Sequence, residues 1–153
     1  MESKTLNKIL TSAFVGTSAM TVFSYVVSHS KKENFQEPEV LAKLIKKLFP
    51  ETEKETAELE GWIAHYGIGV LFCLIYVHLW KDKINPTFKS GLILGAASGM
   101  LGIAAWQLIF KVHPNPPVKN LKKYFGHLFL AHLIFGGFAA LGNNLIQERN
   151  ASK

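Results

Sequence analysis

The chain predicts an all-α fold, a polytopic membrane protein with four transmembrane helices in a bundle and an interfacial amphipathic helix between the first two. Three observations lead there. The apolar residues gather into four blocks, 9–28, 61–80, 90–110 and 126–146, each about the twenty residues needed to cross a hydrocarbon core of about 30 Å. No Asp or Glu falls inside a block, as expected when a charge at mid-bilayer costs several kcal/mol. No block alternates as a barrel strand would, and a helix satisfies its own backbone within lipid. The 153 residues therefore form one membrane domain, 1–153. The net charge of +6 belongs to loops and tails, where lysines meet lipid headgroups, so the expected partner is the bilayer and not nucleic acid.

The first block, "KILTSAFVGTSAMTVFSYVVS", follows Lys4 and Lys8 as a signal peptide might, but its apolar run is too long and no polar cleavage region follows. It is expected to be a retained span. Thr11, Ser12, Thr17, Ser18, Thr21 and Ser24 make it the least apolar block. Their hydroxyls can bond to helix carbonyls or to a neighbouring helix, which predicts a place inside the bundle.

The long connection after it contains "PEVLAKLIKKLF", residues 38–49. Pro38 suits a helix start, and Val40, Leu41, Leu44, Ile45 and Leu48 recur at helical spacing opposite Lys43, Lys46 and Lys47. Lysines flanking an apolar face predict a helix lying at the membrane interface. Pro50 ends it, and the acidic "ETEKETAELE" leads into the second span.

Span two holds Cys73, the one cysteine, expected to serve packing alone. Short turns with Asn85-Pro86 and with three prolines in "HPNPPVKNLKKYF" then predict spans two, three and four as antiparallel neighbours. Span three carries Gly91, Gly95 and Gly99 four apart, and span four carries Gly136 and Gly137. Small residues at that spacing let helix backbones approach closely, predicting packing within the bundle, with self-association through the same faces as the alternative. The seventeen Lys and Arg divide ten to seven between the two sides, which leaves the orientation undecided.

Six histidines raise the question of haem, which needs two axial ligands from facing helices. His65 and His78, thirteen apart, end about 140° from each other around a helix. His127 and His132, five apart, diverge similarly, so two stacked haems are not expected and one haem stays open. His65, His127 and His132 are the candidates for ligand binding or pH sensing, since histidine alone titrates near neutrality at this depth. His132 lies deepest and needs a polar partner, for which Ser98, Gln107 and Asn143 are candidates. The spans contain no carboxylate of the kind a proton-coupled transporter buries. No GxSxG, HExxH or CxxC pattern occurs, so neither catalytic residues nor a metal site are expected.

From His65 the order of features resembles the YagU-like family of small bacterial inner-membrane proteins. The elements are "HYGIGVLFCLIY", a lysine-containing turn, "GLILGAASG", the Pro-Pro loop "HPNPPVKN" and "FGHLFLAH", together covering about residues 65–135. His65, Gly126 and His127 fall on that pattern, while Lys122-Lys123-Tyr124 departs from it. The resemblance implies a multi-pass protein of the bacterial cytoplasmic membrane, with a link to acid resistance and no defined biochemical activity. The resulting expectation is a non-enzymatic protein of envelope or acid-stress physiology with pH-responsive histidines. A haem- or quinone-linked redox protein and a small oligomeric transporter are the alternatives.

Overall fold

The computed structural model describes residues 3–112 and 120–151, with side chains through 147. In chain order it contains α1 (Ser3–Lys31), α2 (Glu37–Leu48), α3 (Lys54–Asp82), α4 (Phe88–Val112) and α5 (Leu121–Ala151). No strand occurs among the described residues. Four helices are long and apolar enough to cross a membrane: α1, α3, α4, and α5 as far as Gln147. Each outruns its apolar block because polar residues continue the helix at both ends.

Local chemistry sets the helix boundaries. At the end of α1, Lys32 takes a positive φ of 52° and the Glu33 N–H bonds the Ser28 carbonyl at 3.3 Å, the pattern of a Schellman turn. In α2, Pro38 occupies the first turn, where a missing N–H leaves no helical bond unmade. Its C-terminal turn is tied down by Lys46, whose ammonium donates to the carbonyls of Pro50 and Thr52. A reciprocal cap starts α4: the Ser90 N–H donates to Thr87 Oγ1 at 3.1 Å and the Thr87 N–H to Ser90 Oγ at 3.0 Å. Asn120 caps α5 by accepting the Lys123 N–H at 3.1 Å.

In the tertiary packing, α5 lies against α1 and α4, while α3 lies against α1 and α2. The glycine stripes make the α4–α5 contact. A Cβ on Gly91 would strike the Gly136 carbonyl, one on Gly95 the His132 carbonyl, and one on Gly99 would crowd His132 and Phe129. Spans two and three touch less closely than three and four, because the main partner of α4 is α5. Long side chains bridge α3 to α4 instead: Tyr76 and Ser98 share a hydrogen bond of 2.6 Å, and Trp80 Nε1 donates to Ser90 Oγ at 3.2 Å. The small-residue faces that permit close backbone approach occur on α4 and α5, so the short turn after α3 does not decide the pairing. Cys73 is fully buried and free. His113 and the Pro-Pro loop lie outside the described residues.

Candidate functional site

Glu37 opens α2 and is only 3% exposed. Counting along the helix explains this: Val40, Leu41 and Leu44 follow at three, four and seven residues, so Glu37 starts the same inward-facing stripe. Two neighbouring contacts hold it there. The Phe35 N–H donates to Ser28 Oγ at 3.0 Å, and the Pro38 carbonyl lies against Gly61 of α3, where a Cβ would collide with it.

Within the core, Ser24 Oγ of α1 donates to Glu37 Oε1 at 3.1 Å. His127 Nε2 of α5 lies 2.9 Å from the same hydroxyl and 3.9 Å from Oε1. With the carboxyl ionised the Ser24 proton is committed to it and His127 Nε2–H donates to Ser24; with Oε1 protonated both bonds run the other way. Phe23 and Phe35 both stack on the His127 ring, with centroids at 5.1 and 4.6 Å and interplanar angles of 5° and 18°. Burial pushes the Glu37 carboxyl up to about 8, outweighing its own backbone N–H and the Ser24 hydroxyl, which favour the charged form. Glu37 Oε2 has no hydrogen-bond partner among the described residues, and leaving it unpaired costs far less when the group is neutral. Burial thus favours the protonated form of Glu37 near neutrality.

A second polar group lies next to the first. Thr21 Oγ1 donates to the Thr17 carbonyl at 2.8 Å, so it accepts from His65 Nε2–H at 3.0 Å, leaving a lone pair on His65 Nδ1. His132 Nδ1–H donates to the Leu128 carbonyl at 2.9 Å, which leaves the lone pair on Nε2, facing Gly102. Glu37, His65, His132 and Thr17 border a common cavity of about 50 Å³, closed in part by Trp106 and Phe135. Of these, the Thr17 hydroxyl is buried without a partner among the described residues, and a space of that size suits a few waters only beside its few polar groups.

All three candidate histidines, His65, His127 and His132, are thus buried and hydrogen-bonded. None of the expected partners of His132 reaches it. Ser98 bonds Tyr76, Gln107 is exposed, and Asn143 borders an opening near Lys4 and Lys8. A back-bond to its own helix carbonyl satisfies His132 instead. His29 and His78 are exposed, with His78 facing Asp82 at 3.8 Å. Ser24 is one of the six hydroxyls the sequence marks on the first span, whereas Glu37 carries no such mark. The signal for Glu37 was its register with Val40 and Leu44, which is obscured when Pro38 is taken as the helix start.

A haem does not fit between these histidines as they stand. A hydroxyl engages Nε2 of His65 and of His127, a carbonyl engages Nδ1 of His132, and the cavity of about 50 Å³ is far smaller than a porphyrin. Among the described residues no three His, Cys, Asp or Glu side chains form a group that could hold a metal ion. In comparisons with protein-family models, with curated proteins and with solved structures, nothing matches the chain.

Proposed function

We propose that this is a pH-responsive membrane protein whose function depends on a proton bound within a four-helix transmembrane bundle, at Glu37, Ser24 and His127. The observation that carries the reading is a carboxyl 3% exposed, hydrogen-bonded to a serine that also binds a buried imidazole. Burying such a group is costly and serves no packing purpose that an apolar residue would not serve better. Exposed Leu48 and Phe49 at the lysine-rich end of α2 support its placement at the membrane surface. The motif order between residues 65 and 135 supports a bacterial cytoplasmic membrane and a role in envelope or acid-stress physiology. Since Glu37 gives up its proton as pH rises through about 8, its own switch lies on the alkaline side of neutrality.

Infrared difference spectra of the full-length protein in lipid vesicles test this directly. A protonated-carboxyl band is expected to disappear with a midpoint near 8, and Glu37→Gln should abolish the change. A wild-type protein with no such band, or with a midpoint at the ordinary value of 4.5, would refute the proposal.

A further inference from the structure

Two spaces approach the Glu37 cluster from opposite sides. One is the central cavity, bordered by Glu37, His65, His132 and Thr17. The other is a groove of about 420 Å³ between α1 and α5, walled by Phe23, Val27 and Leu130, floored by Gly126 and His127, and ringed at its mouth by Lys31, Glu33 and Lys123. Of these two spaces His127 borders the groove and Glu37 the cavity, and Ser24 hydrogen-bonds both residues. A chain of three proton-carrying groups therefore runs through the partition between the two spaces.

The groove reaches the level at which water is available. Lys31 ends α1 and Lys123 lies in the first turn of α5, where charged side chains meet the membrane surface. Counting at the helical rise, His127 is about 6 Å inward from Lys123, Ser24 about 10 Å inward from Lys31, and Thr17 about 21 Å inward. A route running from groove to cavity would thus cover more than half of a hydrocarbon core of about 30 Å.

Resting on the proton-binding reading above, we infer that His127 and Ser24 form a proton relay that loads and unloads Glu37 from the groove and connects it to the central cavity. With Glu37 ionised, His127 Nε2–H donates to Ser24 and Ser24 donates to Oε1. A hydronium ion in the groove gives its proton to His127 Nδ1, leaving water. The Nε2 proton passes to Ser24 Oγ as the Ser24 proton passes to Oε1. One proton enters, the carboxylate becomes an acid, and the imidazole ends neutral as its other tautomer. The same two hydrogen bonds remain, with donor and acceptor exchanged in each, and the reverse sequence returns the proton to the groove.

The other groups facing Glu37 are compatible with this traffic. Tyr25 of α1 and Tyr124 of α5 lie within electrostatic reach, and His65 of α3 and His132 of α5 face it across the cavity. From α4 the nearby residue is Trp106, which does not titrate. On α2 itself, Glu39 is half-buried and pairs with Lys43 at 2.9 Å. At the groove mouth, Lys123 and Glu33 pair with each other, leaving Lys31 beside them.

The test is the rate at which the Glu37 carboxyl band appears after a jump from about pH 9 to about pH 6, followed by time-resolved infrared in phosphatidylcholine vesicles. Gly126→Leu is the discriminating variant, because Gly126 lines the groove and a Cβ added there meets nothing within 4 Å. It should leave the titration midpoint unchanged and slow protonation about tenfold or more, an added barrier of about 1.4 kcal/mol. Ser24→Ala should slow it further, and Ser24→Thr, which keeps the hydroxyl, should restore the rate. Equal rates in wild type, Gly126→Leu and Ser24→Ala would overturn the relay while leaving the bound proton intact. A wild type whose Glu37 band never titrates would remove both.

Discussion

Lys32 and Glu37, five residues apart, show how single side chains shape this protein. Lys32 holds a left-handed backbone with φ of 52°, a conformation that costs a residue with a Cβ about 1–2 kcal/mol. Lys32→Gly relieves that cost against the glycine's own entropy loss, for a net gain of about 0.5 kcal/mol. Reversible unfolding in mixed micelles should register it as a small upward shift, and a lower midpoint would mean that the Lys32 side chain contributes more than the turn geometry implies. Glu37 carries a larger consequence. The tight turn at Lys32 brings the chain back so that Phe35 and Glu37 face the core beside Ser24 and Ser28. Without that reversal the carboxyl would remain in the long connection, exposed to solvent.

At the scale of elements, α2 stays docked because Gly61 lets the Pro38 carbonyl approach α3 directly. Gly61→Ala places a methyl group where the Pro38 carbonyl and the Ala42 N–H now lie, so α2 must lift away. Glu37 should then regain water, and its midpoint should fall from about 8 toward 4.5, read in the same infrared titration. An unchanged midpoint would show that the carboxyl is held independently of the α2–α3 contact. The α4–α5 pair follows the same logic with different residues. Gly91, Gly95 and Gly136 meet backbone to backbone, an arrangement that gains dispersion contact where lipid supplies no hydrophobic drive.

At the scale of the whole molecule, the bound proton couples pH to folding. The Glu37 carboxyl is raised from 4.5 to about 8 in the folded state, so between those values the folded chain binds a proton that the unfolded chain has released. By linkage, its contribution to stability is fully present below about pH 4.5 and is lost as pH rises through about 8. Unfolding midpoints in detergent should therefore fall across that window and level off above it. Glu37→Gln, neutral at every pH, should flatten the curve. A wild type and variant with parallel profiles would place the pH dependence elsewhere.

Chain composition by itself determined where the helices lie and what solvent they suit. Four charge-free apolar blocks of about twenty residues leave a helix as the economical way to satisfy the backbone in lipid, and four helices of that kind are present. The caps at Thr87 and Asn120 and the amphipathic stretch from Pro38 were equally local. The histidines marked polar positions, but not their partners: His65 found Thr21, His127 found Ser24, and His132 turned back on Leu128. Those partners depend on helix rotation and depth, which hydropathy does not encode. The carboxylate absent from every apolar block arrived from α2, brought in by the reversal at Lys32 and the notch at Gly61. Only the tertiary structure could decide that. Residues separated by 103 positions, such as Ser24 and His127, meet because helices pack by shape, and the burial that alters Glu37 exists only once they have.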